Sequence, residues 1–579
     1  MRHFNLTRRA ALSTVFISIF ALAGCSSSDT PETTTPTTDT SQRADVIFTG
    51  EHIITMDDTT PNAVAIAGGK ILATGSAAEI AKLAGPETRN VELGERALLP
   101  GFIDAHGHAT ASARFIDLAN LSSPPVGPVE TIADLQDALR KHIAANDFSA
   151  GDWIIGYGYD ESLLAENRHP TRDDLDAVST EHNIVILHVS IHLAAANSMS
   201  LETAKITAES PDPAGGVIRR RAGTTEPNGV LEETAAHPLL FQLVIGGTGL
   251  ADQLPRTLIE YASYGITTAQ DGAASMNDVA AIQAMTEADV LPIDLVSYPH
   301  TSQIPPSQLA ALEAGEYKNG FRIGGVKFVL DGSIQGKTGF LGEPYKESLE
   351  GLGDDYLGYP MVPPAKYEAD IAPLIARGLP LLIHANGDGA IDMMLEGLDK
   401  ALDGTDITDH RTTIIHAQMI REDQILRAKE LGALPSFFSA HPFYWGDWHR
   451  QILGEERASR ISPIRSTINQ GVPFTIHNDS PVVPPHMMRL IDVTVNRKTR
   501  SGYVLGPDQR ATVMEALHAV TLGAAYQFFE EDTKGSITVG KQADLVILGE
   551  NPLTAPKEQL QHIEIIETFA RGKSVFKAK

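Results

Sequence analysis

His106 and His108 stand in the run Pro100-Gly101-Phe102-Ile103-Asp104-Ala105-His106-Gly107-His108. Turn residues followed by β-formers read as a loop feeding a short buried strand that ends in His-x-His. On an extended strand, side chains two apart share a face, so both imidazoles are placed to meet one ion. Neutral imidazole suits zinc and similar divalent cations. His-x-His also arises by chance, so its meaning depends on whether further ligands follow at strand ends, where parallel barrels place their chemistry. Lys327 lies inside the apolar run Gly325-Val326-Lys327-Phe328-Val329. A charged lysine there is costly unless paired or chemically changed. Leu381-Leu382-Ile383-His384, Ile414-Ile415-His416 and Thr475-Ile476-His477-Asn478-Asp479 each end an apolar run on ligand-type residues. One strand-end histidine is more often a satisfied core residue; four such ends plus His-x-His read as a metal site.

Those residues need a scaffold of alternating strands and helices, the pattern of parallel βα units. Strands are expected at Ile184–Val189, Ile266–Ala269, Ile293–Val296, Gly325–Val329, Pro380–Ile383, Thr413–Ile415, Leu434–Ser436 and Pro473–Ile476. Helices are expected at Ile132–Ala145, Leu254–Tyr264, Ala365–Ala376, Glu422–Leu431 and Val513–Thr521. Residues from about 110 to 250 do not fit one βα unit and read as an insertion over the mouth of a barrel spanning 99–529. Residues 44–98 and 530–579 are β-rich. The economical expectation is one small composite β-sandwich built from both chain ends; the alternative is two unrelated extensions.

The chain has 579 residues and a formal charge of −27. That acidity speaks against nucleic acid as a partner, which calls for a basic face. Arg2, Arg8 and Arg9 precede the apolar stretch Ala10–Ala23, which is too short to span a bilayer as a helix (~20 residues). Residues 1–25 are therefore expected to be an address. Leu22-Ala23-Gly24-Cys25 resembles a bacterial lipoprotein cleavage box, with Cys25 lipidated; a plain signal peptide or an uncleaved anchor is the alternative. Residues 26–43, rich in Ser, Thr, Pro and Asp, read as a disordered tether. The expected location is the cell envelope, lipid-anchored and facing the periplasm, with the membrane contacted through the lipid alone. Cys25 is the only cysteine. Once it is lipidated, disulfides, thiolate ligands and cysteine nucleophiles are excluded.

The set of motifs resembles the amidohydrolase superfamily, and within it amidohydrolase family 3, the branch of N-substituted formamide deformylase-like proteins. The matching pieces are Leu99 to His108, Gly158-Tyr159-Asp160, Asn228-Gly229-Val230-Leu231, Lys327 with Asp331-Gly332-Ser333, His384-Ala385-Asn386-Gly387-Asp388, Ile415-His416-Ala417-Gln418, Asn478-Asp479-Ser480-Pro481-Val482, and Gly540-Lys541-Gln542-Ala543-Asp544-Leu545. The resemblance implies a distorted TIM (β/α)8 barrel with a composite β-sandwich and a centre of one or two divalent ions, zinc first among them. It implies that His106 and His108 hold one ion, that His384 and His416 hold a second, and that Lys327, carbamylated by CO₂, bridges them. Asp479 would bind the first ion and shuttle the proton of a metal-activated hydroxide. The implied reaction is cleavage of a carbon–nitrogen bond in a small-molecule amide, linear and non-peptide. Rivals are a cyclic amide, an ester or a deamination at the same centre, and, of another class, a non-catalytic binding lipoprotein. A homodimer is compatible with all of these.

Two positions depart from the pattern. His477 stands where many relatives have a smaller residue, so it either enters the substrate pocket or packs behind the ligands. Gly389 stands where arginine is frequent, which removes an anion-binding role there. Trp445, in the aromatic run His441–His449, is expected to line the substrate pocket, with a packed loop as the alternative. His192 is a substrate contact or a structural residue, and His486 a candidate at the pocket mouth.

Overall fold

The computed structural model describes residues 42–240, 249–288, 290–346 and 353–579. The expected signal peptide, the Cys25 lipidation site and all but the last two residues of the tether lie outside the described residues. Among the described residues no helix is long and apolar enough to cross a membrane.

Two parallel sheets form the centre of a mixed α/β fold. One contains Phe102–Ile103, Ile266–Asp271, Asp294–Ser297 and Phe321–Ile323. The other contains Val326–Val329, Leu381–Ala385, Thr413–His416, Leu434–Phe437 and Thr475–Ile476. Gly324-Gly325 lies between the two sheets. A Cβ at Gly325 would collide with the Pro380 carbonyl, so the strand passes from one sheet to the other only with glycine there. These strands are largely buried on both faces, as parallel strands covered by helices must be. Val326, Leu381, Ile383 and Ile414 join the large core shared with the helices. Ile103, Val296, Leu382 and Ile415 form a second cluster with Ala524, Ala525 and Phe528.

Helices fall close to the expected places. Ile132–Ala145 begins with a capping box in which Thr131 and Asp134 exchange hydrogen bonds. Glu422–Leu431 ends at Gly432, in the left-handed conformation that glycine adopts without strain.

Residues near the two chain ends form two four-stranded sheets. One is ordered Lys70–Gly75, Ala63–Ala67, Val46–Thr49, Arg89–Glu92; the other Lys573–Lys577, Ile565–Ala570, Leu545–Leu548, Ala97–Pro100. Phe48, Val64, Leu98, Leu545 and Phe569 belong to one core between them. Arg89 joins Glu567 through two hydrogen bonds of 2.9 and 2.7 Å.

Residues 119–233 contribute a separate six-stranded sheet. Ala119–Asn120, Trp153–Tyr159 and Asn183–His188 run parallel, while Leu193–Ala196, Pro227–Glu233 and Gly216–Arg220 continue it antiparallel. Only one of these strands was expected from the sequence. Trp153–Tyr159 is rich in β-formers but is broken by Gly156 and Gly158, and Leu193–Ala196 is mostly alanine, a poor strand former.

Candidate metal centre

The strand Phe102–Ile103 stops before His106, so pleat alternation does not place the two histidines. Instead the loop after the strand folds so that the rings of His106 and His108 lie 5.0 Å apart. His106 packs so closely on Gly272 that any Cβ there would strike its ring. His384 lies near the end of its strand, two residues beyond the inward-facing Leu382. His416 follows the inward-facing Ile415, so a regular pleat would turn it away. Its left-handed backbone (φ 73°) returns it, and its ring lies 4.5 Å from that of His384. Asp479 has the same unusual backbone (φ 60°). Non-glycine residues held there carry local strain, which concentrates at functional sites.

These side chains converge. Asp479 Oδ1 lies 3.1 Å from His108 Nε2 and 3.5 Å from His106 Nε2, and its Oδ2 lies 3.9 Å from His416 Nε2. Lys327 Nζ lies 3.0 Å from His106 Nε2, and the residue is 1% exposed. Burial, helped by neighbouring basic groups, holds the His106 and His416 imidazoles well below their ordinary pKa, so both stay neutral with lone pairs available. Burial also lowers Lys327 to about 7, against the pull of Asp479. For Asp479, burial alone would raise the pKa. The hydrogen bond with His108 and the surrounding imidazoles of His108, His106 and His477 outweigh it, and the carboxylate stays ionised.

A divalent cation fits this donor set. His384 Nδ1 is buried and 3.2 Å from Asp331 Oδ1, yet it makes no aligned hydrogen bond. A buried imidazole nitrogen left this way is costly unless something else takes its lone pair. The oxygen and nitrogen donors suit zinc and its neighbours.

Further residues orient the candidate ligands, in the way that partners of metal-binding histidines do. Gln270 Oε1 meets His106 Nδ1, and Gln270 Nε2 donates to the Ala105 carbonyl, 2.7 Å. Asp331 sits beneath His384 and accepts from the amides of Asn386, Gly387 and Phe340. His477 is fully buried, 3.1 Å from His416 Nδ1 and 2.8 Å from Ser436 Oγ. It therefore packs behind a ligand. The sequence offered little for Gln270 beyond a polar residue just past an expected strand. Asp331 stood in a recognised motif with no role attached.

Of the expected substrate contacts, His192 is brought to the centre, its ring 5.1 Å from that of His384 and its Nδ1 2.7 Å from Glu233 Oε2. Trp445 is 2% exposed; its Nε1 donates to Asp160 Oδ2 at 2.6 Å and its ring packs on Phe438 and His441. His486 is not brought in. As the N-cap of Met487–Asn496 its Nδ1 accepts from the Arg489 amide, and its ring rests against Tyr264. Asp388 accepts from the Gly342 amide and pairs with Arg421, a structural arrangement.

The sequence profile described as "Amidohydrolase family" matches residues 89–576. An N-substituted formamide deformylase of Arthrobacter pascens is 25% identical over 549 residues, 92% of this chain and 98% of that one. Two solved structures share the fold. An uncharacterized metal-dependent hydrolase from Pyrococcus horikoshii OT3 superposes with a TM-score of 0.69 at 22% identity, over 89% of this chain and 99% of that one. Its counterpart from Pyrococcus furiosus gives 0.67 at 23% identity, over 88% and 100%.

Proposed function

Since this chain belongs to the amidohydrolase family, we propose that it hydrolyses a carbon–nitrogen bond in a small, linear, non-peptide amide. The observation that carries the reading is the convergence of His106, His108, Lys327, His384, His416 and Asp479. In this reading the parallel strands form a distorted (β/α)8 barrel, residues 110–250 are an insertion over its mouth, and the terminal sheets are a composite β-sandwich. His106, His108 and Asp479 would hold one ion, His384 and His416 a second, and Lys327 would join them as a carbamate. A buried amine with a lowered pKa is partly neutral at pH 7, the form that adds CO₂. Zinc is the first candidate.

The ions would supply a water ionised near neutral pH (pKa ~7) and polarise the carbonyl. The protein's own residues do the rest. Asp479, ionised and 7% exposed, accepts the proton of the attacking water on a carboxylate oxygen and returns it to the leaving nitrogen. His192, anchored through Nδ1 to Glu233, leaves Nε2 to orient the substrate. Phe438, His441 and Trp445 form an aromatic wall beside His416 and exclude water. The relative's name makes N-substituted formamides the first substrates to try. The Cys25 box supports an envelope-anchored enzyme.

The test is a panel of N-substituted formamides, other linear amides, cyclic amides, esters and aminopurines, offered to zinc- or manganese-loaded protein. Turnover of the linear amides supports the reading. Turnover confined to rings or esters moves the substrate class. No turnover by protein that retains no metal above trace supports a binding lipoprotein.

A further inference from the structure

One further imidazole faces the centre and has no place in the ligand set. His300 follows the strand Asp294–Ser297 and caps the short 3-10 turn Thr301–Gln303. Its backbone is tied on two sides. The His300 amide donates to the Ala274 carbonyl at 3.1 Å, and the Lys327 amide donates to the Pro299 carbonyl at 2.9 Å. Thr301 Oγ1 donates to the Lys327 carbonyl at 3.2 Å. In this arrangement His300 and Lys327 form a parallel bridge pair. Residues paired across neighbouring strands present their side chains on the same face. Lys327 uses that face to bring Nζ within 3.0 Å of His106 Nε2. The His300 ring is therefore turned to the same centre, where Lys327, His108 and His384 act on it electrostatically.

The hydrogen bonds of the ring decide what it can do there. The Ser302 amide donates to His300 Nδ1 at 3.2 Å, and Ser302 Oγ lies 2.7 Å from the same nitrogen. A backbone N–H can only donate, so Nδ1 carries the lone pair and Nε2 carries the proton. His106 differs, because Gln270 Oε1 meets its Nδ1 and Nε2 is left with the lone pair. His300 thus has no lone pair to offer a cation, and offers an N–H instead. That N–H has no acceptor among the described residues, and the residue is half-buried.

We propose that His300 is a catalytic residue that donates its Nε2–H to the carbonyl oxygen of the substrate, a role that rests on the amide-hydrolysis reading. As the water oxygen bonds to the carbonyl carbon, the carbon–oxygen π pair moves onto oxygen and the water's proton goes to Asp479. His300 holds the resulting oxyanion by its hydrogen bond and keeps its own proton. The oxygen's pair then re-forms the carbonyl, the carbon–nitrogen bond breaks, and the leaving nitrogen takes the proton from Asp479. A fixed donor aimed where negative charge develops stabilises the transition state more than the ground state. His192 reaches the centre beside His384 and His300 beside Lys327, so the donor does not duplicate His192.

The test combines a structure with kinetics. In crystals of zinc-loaded protein soaked with acetohydroxamate, His300 Nε2 should lie about 2.7–3.1 Å from the hydroxamate carbonyl oxygen. An Nε2 turned away from that oxygen, or bonded to zinc, would overturn the proposal. On whichever amide the wild type turns over, His300→Ala should lower kcat ~10²–10³-fold at unchanged metal content. His300→Gln, which restores a side-chain N–H, should recover part of the loss. Wild-type kcat in His300→Ala overturns the inference and leaves the amide reading standing. A wild type that turns over no amide ends both. The soaked wild-type structure decides the question even where the variants fail to fold.

Discussion

In the parallel sheets, candidate ligands come from segments far apart in the chain, each in or just beyond a different strand: His106, Lys327, His384, His416 and Asp479. In the six-stranded sheet, a buried group of Asp160, Glu161 and His188 comes from two adjacent strands, with Glu161 and His188 as an ion pair. The first group meets only because the whole α/β fold closes around it, and it uses two left-handed non-glycine residues to do so. The second needs only local strand pairing. A centre assembled by the global fold is positioned by everything around it, so substitutions there should act on chemistry more than on stability. The locally built group should show the reverse.

The largest effect is expected at Lys327. Lys327→Ala should lower metal content and reduce turnover on the order of 10³-fold, measured by elemental analysis and steady-state kinetics. Near-normal turnover would remove the bridging role. Asp479→Asn should cut kcat by ~10²–10⁴-fold while sparing most of the metal. Unchanged kcat would move the proton shuttle elsewhere. Gln270→Ala, which frees His106 Nδ1, should weaken metal affinity ~10–100-fold in competition with a chelator. An unaltered affinity would mean that packing on Gly272 alone orients that ring.

The candidate ligand positions were legible because each is a polar residue ending or interrupting an apolar run. The periodicity also marked Ile132–Ala145 and Glu422–Leu431, whose bounds match the helices found. The residues that orient ligands were not legible in this way. Gln270 and Asp331 act across strands, and their roles follow from which strands adjoin. His477 was open between pocket and packing, and only its contacts with His416 and Ser436 decide for packing. His486, expected at the pocket mouth, caps the helix Met487–Asn496, a role its neighbours in the chain did not announce. The six-stranded sheet was nearly invisible, since its strands are short, alanine-rich or interrupted by glycine.

Smaller effects sharpen the contrast on the side of the six-stranded sheet. Trp445→Phe leaves Asp160 Oδ2 without its donor and should cost ~1–3 kcal/mol in urea unfolding, with kcat changed far less than by Asp479→Asn. An equal loss of kcat would show that the two groups act as one. The last effect is on acid stability. Burial lowers His449 from 6.5 to about 3. Below its ordinary pKa the unfolded chain takes up a proton that the folded chain refuses, so stability should fall as pH drops from about 6.5 toward 3. His449→Gln should flatten that slope in pH-dependent denaturation. A slope unchanged by the substitution would assign acid lability to other buried histidines.

Six side chains are placed to gather on a shared divalent centre. A crystal structure of zinc-loaded protein with residue 327 resolved tests whether they do. Metal density is expected, ligated by His106, His108, His384, His416 and Asp479, with Lys327 extended by a carboxylate that reaches it. Imidazoles scattered away from one another, or a bare Lys327 amine beside metal bound elsewhere, would contradict it.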